Sequence, residues 1–180
     1  MNDLPSAVVD ISHIRDLLTF QQHKTLKLAP KLTVSVLQPS DFEKMNIGLA
    51  MNLFSCSVSV ALRFLLEKEG IPVGYMTTAW FVDACNHWYD LMSSRHPVMS
   101  LSRRKKDAYD AAINFLCSFM DMIAKLDIGD RGHWKPVQTG ILMSTSFVIN
   151  MADDILANQP FLLTSRLTQD CLENLFSCVR

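Results

Sequence analysis

Cysteine is sparse and scattered in this chain. Cys56, Cys85, Cys117, Cys171 and Cys178 form no Cys-x-x-Cys pair, which excludes a zinc ribbon or finger, and an odd count with no secretory leader argues against a disulfide framework. Buried thiols in a reducing compartment are what remains. Charge of one sign is lacking too: 17 Lys and Arg stand against 18 Asp and Glu, so no global field draws the chain onto nucleic acid and any such contact needs a local basic patch. The sequence has no Gly-x-x-x-x-Gly-Lys-Ser/Thr phosphate loop, no Gly-x-Ser-x-Gly elbow, and histidines too dispersed for a local zinc motif. Its apolar runs are interrupted before they reach bilayer length, and the N-terminus carries no hydrophobic targeting core, so a soluble, intracellular protein is expected.

What is present fits a compact domain. Apolar residues are 49% and charged residues 19% of 180, which argues against disorder at a length sufficient for one buried core. Six glycines and seven prolines against ten methionines lean towards helices. The periodicity predicts an all-α fold: an irregular multi-helix arrangement with a long central helix. Ile11, Ile14, Leu17, Leu18 and Gln21 mark a first helix to about Lys24, and Pro30 keeps the segment Leu26–Thr33 from continuing it. Ser40 and Glu43 read as a capping box. It opens an apolar pattern through Phe42, Leu49, Leu53, Val60 and Phe64 to a stop at Gly70. Unbroken, that helix would span roughly 45 Å at 1.5 Å per residue, so a bend is expected near Gly48 or the Ser55–Ser57 run.

Further helices are expected from Thr77 or Thr78 to about Ser94, from Ser102 to about Asp127, and from Val137 to Ala157. Short strands are conceivable only near Thr33–Leu37 and Phe161–Leu163. Arg103, Arg104, Lys105 and Lys106 open the Ser102 helix in this reading. Four cations at a helix N-terminus oppose the macrodipole, which points to a phosphate partner. Lys27 and Lys31 flank Pro30 and suit either an anion or plain solvent.

Two polar helix faces stand out. Asp83, Asn86 and Asp90 recur at three- and four-residue steps; a carboxylate accepts hydrogens from a guanine edge and an amide reads its carbonyl, so the face suits a purine, while a solvated helix surface is the plainer alternative. From about Thr168 the chain reads as a helix with Leu167, Cys171, Leu172, Leu175, Phe176 and Val179 in one stripe and Asp170, Glu173, Asn174 and Ser177 opposite. One such helix can donate a carboxylate to a divalent cation but cannot assemble a metal pair by itself.

The closing string, Leu162-Leu-Thr-Ser-Arg-Leu-Thr-Gln-Asp-Cys-Leu-Glu-Asn-Leu-Phe-Ser-Cys-Val-Arg180, closely resembles the segment at which P element-type (THAP-family) transposases re-enter their ribonuclease-H-like catalytic domain. Leu28-Ala-Pro-Lys-Leu-Thr33, Asp41-Phe-Glu-Lys-Met-Asn-Ile47 leading to Leu53-Phe-Ser55, and Asn86-His-Trp-Tyr-Asp90 before Ser94-Arg95 carry the resemblance back through most of the chain. It implies a helical insertion that binds GTP as a cofactor for DNA cleavage and strand transfer. Residue by residue, it implies Lys31 and Lys44 at phosphates, Ser55 as a hydroxyl ligand, Asn86 and Asp90 on the base, Asp170 facing the nucleotide, and Glu173 as catalytic acid and Mg²⁺ ligand. Arg103 to Lys106 would then touch the DNA backbone.

The resemblance also implies boundaries: residues 1–161 as the GTP-binding insertion, with a connector over 1–25, and 162–180 as the first helix of the returning catalytic domain. Ser93 departs from the family, which often has Asn there. The strands bearing the first two catalytic aspartates are expected to precede residue 1, and the zinc-binding DNA-recognition module has no counterpart. A middle slice of a transposase is therefore expected, inactive alone, nuclear, without membrane contact, and with homo-oligomerisation left open. The competing expectation is a degenerate or domesticated helical interaction module that uses neither nucleotide nor catalysis.

Overall fold

The computed structural model describes residues 7–70, 72–129 and 132–168. The chain is all-α; among the described residues there is no strand beyond one isolated antiparallel bridge between Leu101 and Leu162. It divides into two units, Met1–His87 and Trp88–Arg180.

In the first unit α1 spans Ile11–Gln22, with the Asp10 carboxylate accepting from the Ser12 amide at its start. Ile14 and Leu17 are buried, as their spacing predicts, and so is Gln21. The Thr33–Leu37 stretch, a candidate strand by its alternation, is instead a single helical turn, α2 (Val34–Leu37). Packing of Val36 into the core decides the matter over β-propensity.

The Ser40–Glu43 capping box forms. The Ser40 amide and hydroxyl donate to Glu43 Oε2 at 2.9 and 2.7 Å. It opens no long helix, however: it stands just ahead of the 3₁₀ turn Glu43–Met45, whose N-cap is Phe42. The expected long helix is broken at both suspected places. Asn46 accepts from the Gly48 amide and starts α3 (Ile47–Leu53), and Ser55 precedes α4 (Cys56–Glu69), which ends at Gly70 with a left-handed φ of 62°. Phe42, expected on the apolar face, is 97% exposed, because its turn lies ahead of the helices that build the core. Val58, Ala61, Leu62 and Leu65 of α4 pack with α1 and with Tyr75, Ala79 and Val82 of α5 (Gly74–Met92). Each fully buried Leu or Val there contributes about 1.5–3 kcal/mol.

Hydrogen bonds from Ser40, its hydroxyl first, hold the Glu43 carboxyl below its usual 4.5. A depressed folded value means the box is fully formed above 4.5 and is lost as pH falls through the lower folded value. An NMR titration should therefore show the Glu43 side chain titrating below the ordinary carboxyl range. Ser40→Ala should raise the Glu43 midpoint towards that range, with the backbone amide still donating, and a midpoint indifferent to Ser40→Ala would rule the hydroxyl out as the main cause.

The second unit holds the end of α5, then α6 (Lys106–Lys125) and α7 (Pro136–Asn158). Leu101, Val148, Ala152, Leu156 and Leu162 form one cluster with Leu91, Tyr109 and Ala112 against it. Trp88 stacks on Phe119 at 5.6 Å. α7 has the bounds its Pro136 and its Asn158-Gln-Pro ending predict. Its buried Gln138 ties two helices together: Oε1 accepts from the Lys135 amide while Nε2 donates to the carbonyls of Ile123 and Leu126.

Against expectation, two helical stretches, Ile47–Glu69 and Pro136–Asn158, reach bilayer-crossing length and hydropathy. The first is interrupted at Phe54–Ser55, and both seat buried side chains inside their own unit, as core helices of water-soluble proteins also do.

Candidate functional site

Lys31 sits on a loop whose shape is imposed by Gln21. That amide donates to Ala29 O at 2.9 Å and to Leu32 O at 3.4 Å and accepts from Ala29 N at 3.0 Å. Ala29 and Leu32 are thereby held in the core while Pro30 and Lys31 between them are exposed. Lys44 lies on the 3₁₀ turn, paired with Asp41 at 2.7 Å; both side chains are well exposed, a setting in which ion pairs hold weakly. That turn packs on α3. Ser55, at the entrance to α4, donates to Asn52 O at 3.0 Å and shares a hydrogen bond with Ser57 Oγ at 2.9 Å, and so does not cap its own helix. Lys31 and Ser55 thus stand on segments that border the core of the first unit, whereas the turn that carries Lys44 packs on α3 and adds no residue to that core.

Asn86 is half-buried and Asp90 exposed, four residues apart on α5. Asp170 and Glu173 lie outside the described residues, as does the helix expected from Thr168. The segment leading to them is pinned. The Ser94 amide donates to Thr164 Oγ1 at 2.9 Å, Thr164 Oγ1 donates to Leu91 O at 2.6 Å, and the Ser165 amide donates to Ser94 O at 3.2 Å. A 3₁₀ turn, Thr164–Leu167, comes after the Leu162–Leu101 bridge.

The basic run requires a correction. α6 starts at Lys106, not Ser102; Lys105 is its N-cap, and Arg103 and Arg104 lie in the preceding loop. Arg103 and Arg104 therefore lie ahead of the helix, while Lys105 and Lys106 still stand at its positive end. Arg103 is also partly spent: it bonds Asp153, which also accepts from Tyr109 OH at 3.0 Å. That bond raises the Arg103 pKa and lowers that of Asp153. Arg104, Lys105 and Lys106 are exposed.

Polar groups that the sequence did not single out also pair here. Tyr75 OH donates to Asp16 at 2.6 Å, a bond that with burial pushes the phenol up to about 12, and His13 stacks on the Tyr75 ring at 3.9 Å while meeting Thr78 Oγ1 at 2.8 Å. Burial pushes the Cys85 thiol up to about 12, which makes it a poor nucleophile. Among the described residues no three His, Cys, Asp or Glu side chains gather to hold a metal. Those residues do not fit a Mg²⁺ site.

Fold and loops together define a helical module that presents lysines, hydroxyls and a basic loop to solvent, with no nucleotide loop of the familiar kind. The model of the TNP-like, GTP-binding insertion domain matches residues 2–106, more than half of the chain, and the chain belongs to that family. It is 23% identical over 172 residues to the Transposable element P transposase of Drosophila melanogaster, a match covering 93% of this chain and 23% of that protein. It thus spans about a quarter of that relative's length. A solved structure, the Drosophila P element transposase strand transfer complex, superposes with a TM-score of 0.76 at 22% identity, over 92% of this chain and 38% of that one. That likeness establishes the fold, and the resemblance read from the closing string and its companion motifs is borne out.

Proposed function

We propose that this chain binds GTP as the insertion domain of a P element-like DNA transposase and that the nucleotide orders the protein for DNA cleavage and strand transfer. The family match over residues 2–106 carries the reading. In it, Lys31 and Lys44 meet phosphates, Lys44 exchanging Asp41 for the ligand, and Ser55 supplies a hydroxyl. Asn86 and Asp90, with Asp83 on the same helix, read the purine, and Asp170 is a further nucleotide contact. Residues 1–161 form the insertion and 162–180 begin the catalytic segment, where Glu173 is one carboxylate of a Mg²⁺-binding set completed elsewhere in the parent enzyme. Arg104, Lys105 and Lys106, with Arg103 beside them, contact the DNA backbone, where each phosphate neutralised adds to the salt dependence of binding. A nuclear location follows from that substrate.

Calorimetric titration of the 180-residue chain with GTP and ATP tests the nucleotide site. GTP is expected to bind at least about tenfold more tightly than ATP, and Asp90→Ala or Lys31→Ala to cost about tenfold or more, in line with charge-assisted hydrogen bonds. Equal affinity for the two nucleotides, or an Asp90→Ala chain that binds GTP unchanged, would defeat this assignment.

A further inference from the structure

Ser59 and Arg63 of α4 stand four apart and share one face of the helix. Ser59 is 1% exposed, while Arg63 is half-buried and donates from Nη2 to Asp83 Oδ2 on α5 at 3.3 Å, their side chains 42% and 47% exposed. Behind that pair, Arg63 Nε and Ser59 Oγ are sealed from solvent and neither has a hydrogen-bond partner. They belong to residues one helical turn apart on α4. The guanidinium is held towards Asp83. Native interiors seldom leave such groups unsatisfied, and local rules are broken chiefly where a site is kept ready.

The chemistry of the exposed end suits one purine. The edge of guanine presents a carbonyl oxygen beside an N1–H and a 2-amino group; adenine presents an amino group beside a bare ring nitrogen. A carboxylate accepts both guanine donors, and a guanidinium next to it donates to the carbonyl. Against adenine, the guanidinium faces an amino group and the carboxylate faces a lone pair, so the same pair repels.

We propose that Arg63 is the positioning and specificity residue of the guanine site, orienting the Asp83 carboxylate and directing its own exposed N–H groups at the purine carbonyl. Asn86, one turn further along α5, borders the same edge. The inference rests on the GTP-binding reading above, and its test separates the two.

The 180-residue chain, Arg63→Met, Arg63→Lys and Asp83→Asn are titrated with GTP, ATP, xanthosine triphosphate and inorganic tripolyphosphate. Arg63→Met keeps the apolar stem and removes the unpaired Nε, so its fold should hold. It is expected to lose about tenfold or more in GTP affinity while ATP and tripolyphosphate stay within about twofold. Arg63→Lys should recover part of the loss. Asp83→Asn should raise the ratio of xanthosine triphosphate to GTP binding, because the amide can donate to the oxygen that replaces the 2-amino group. A loss shared equally by GTP, ATP and tripolyphosphate, or no loss in Arg63→Met, overturns the role of Arg63. Wild-type chain that fails to bind GTP removes the underlying reading, and that outcome is visible before any variant is made.

Discussion

Replacing Thr164 by Val is expected to destabilise the second unit by about 2–5 kcal/mol, because two buried main-chain groups lose their partner with no gain in volume to compensate. Thr164 is 1% exposed and Ser94 4%. The Thr164 hydroxyl accepts from the Ser94 amide and donates to the Leu91 carbonyl, joining the end of α5 to a segment 70 residues later. Valine matches threonine in shape but leaves both groups dry and unpaired. Thr164→Ser keeps the hydroxyl and loses one methyl, so its cost should stay near 1 kcal/mol. Urea denaturation of the two variants, with hydrogen exchange at Ser94 and Thr164, separates the cases. Equal losses in both would trace the effect to the methyl and leave the clasp without energetic weight. On the proposed function the valine variant also weakens GTP binding, since Asp170 follows the pinned residue by six positions.

How far the molecule was legible beforehand depended on the range of each interaction. The Ser40–Glu43 box and the limits of α7 are set by residues three apart or by prolines at the ends, and such signals survive in a bare sequence. The breaks at Asn46 and Ser55 left only a trace, because the apolar spacing runs straight through them. Each carries a residue suited to start a helix, but nothing local says that the previous helix must stop. Val34–Leu37 alternates like a strand and becomes a helical turn once Val36 is buried. Arg103 read as one of four equivalent cations until Asp153, 50 residues away, took up its charge. The pairing of Arg63 with Asp83 was equally hidden: Asp83 belonged to a plausible solvated face, nothing in the sequence singled out Arg63, and tertiary packing set the two opposite one another. In the candidate site, residue types and spacings were readable, whereas the partners that fix their positions were not.

Gln21 is the sharpest instance of a hidden partner, and its loss should have the widest effect. The pattern of α1 puts it on the apolar face, where a polar side chain first looks like an error in the helix boundary. It is 1% exposed and satisfies both the amide and the carbonyl of Ala29, with a longer contact to Leu32 O. Gln21→Leu keeps the volume but leaves the buried Ala29 amide without its acceptor, while the Ala29 carbonyl retains the Leu32 amide at 3.1 Å, for an expected loss of about 1–3 kcal/mol. The damage should centre on the 29–32 loop, with amide exchange at Ala29 and Leu32 accelerating before that of the α4 core. Because the same loop carries Lys31, the variant should also lose affinity for tripolyphosphate, which reports phosphate contacts without the base. Gln21→Glu supplies a built-in control. Its buried carboxyl can replace the amide only when protonated, since the ionised form cannot donate to the Ala29 carbonyl, so loop protection should return as pH falls. Burial raises such a carboxyl above its usual value; the stabilisation is therefore present below that raised pKa and lost above it, opposite in sign to the Glu43 box. Unchanged exchange in Gln21→Leu would mean that the loop keeps its shape without the amide, and the placement of Lys31 would then need another cause.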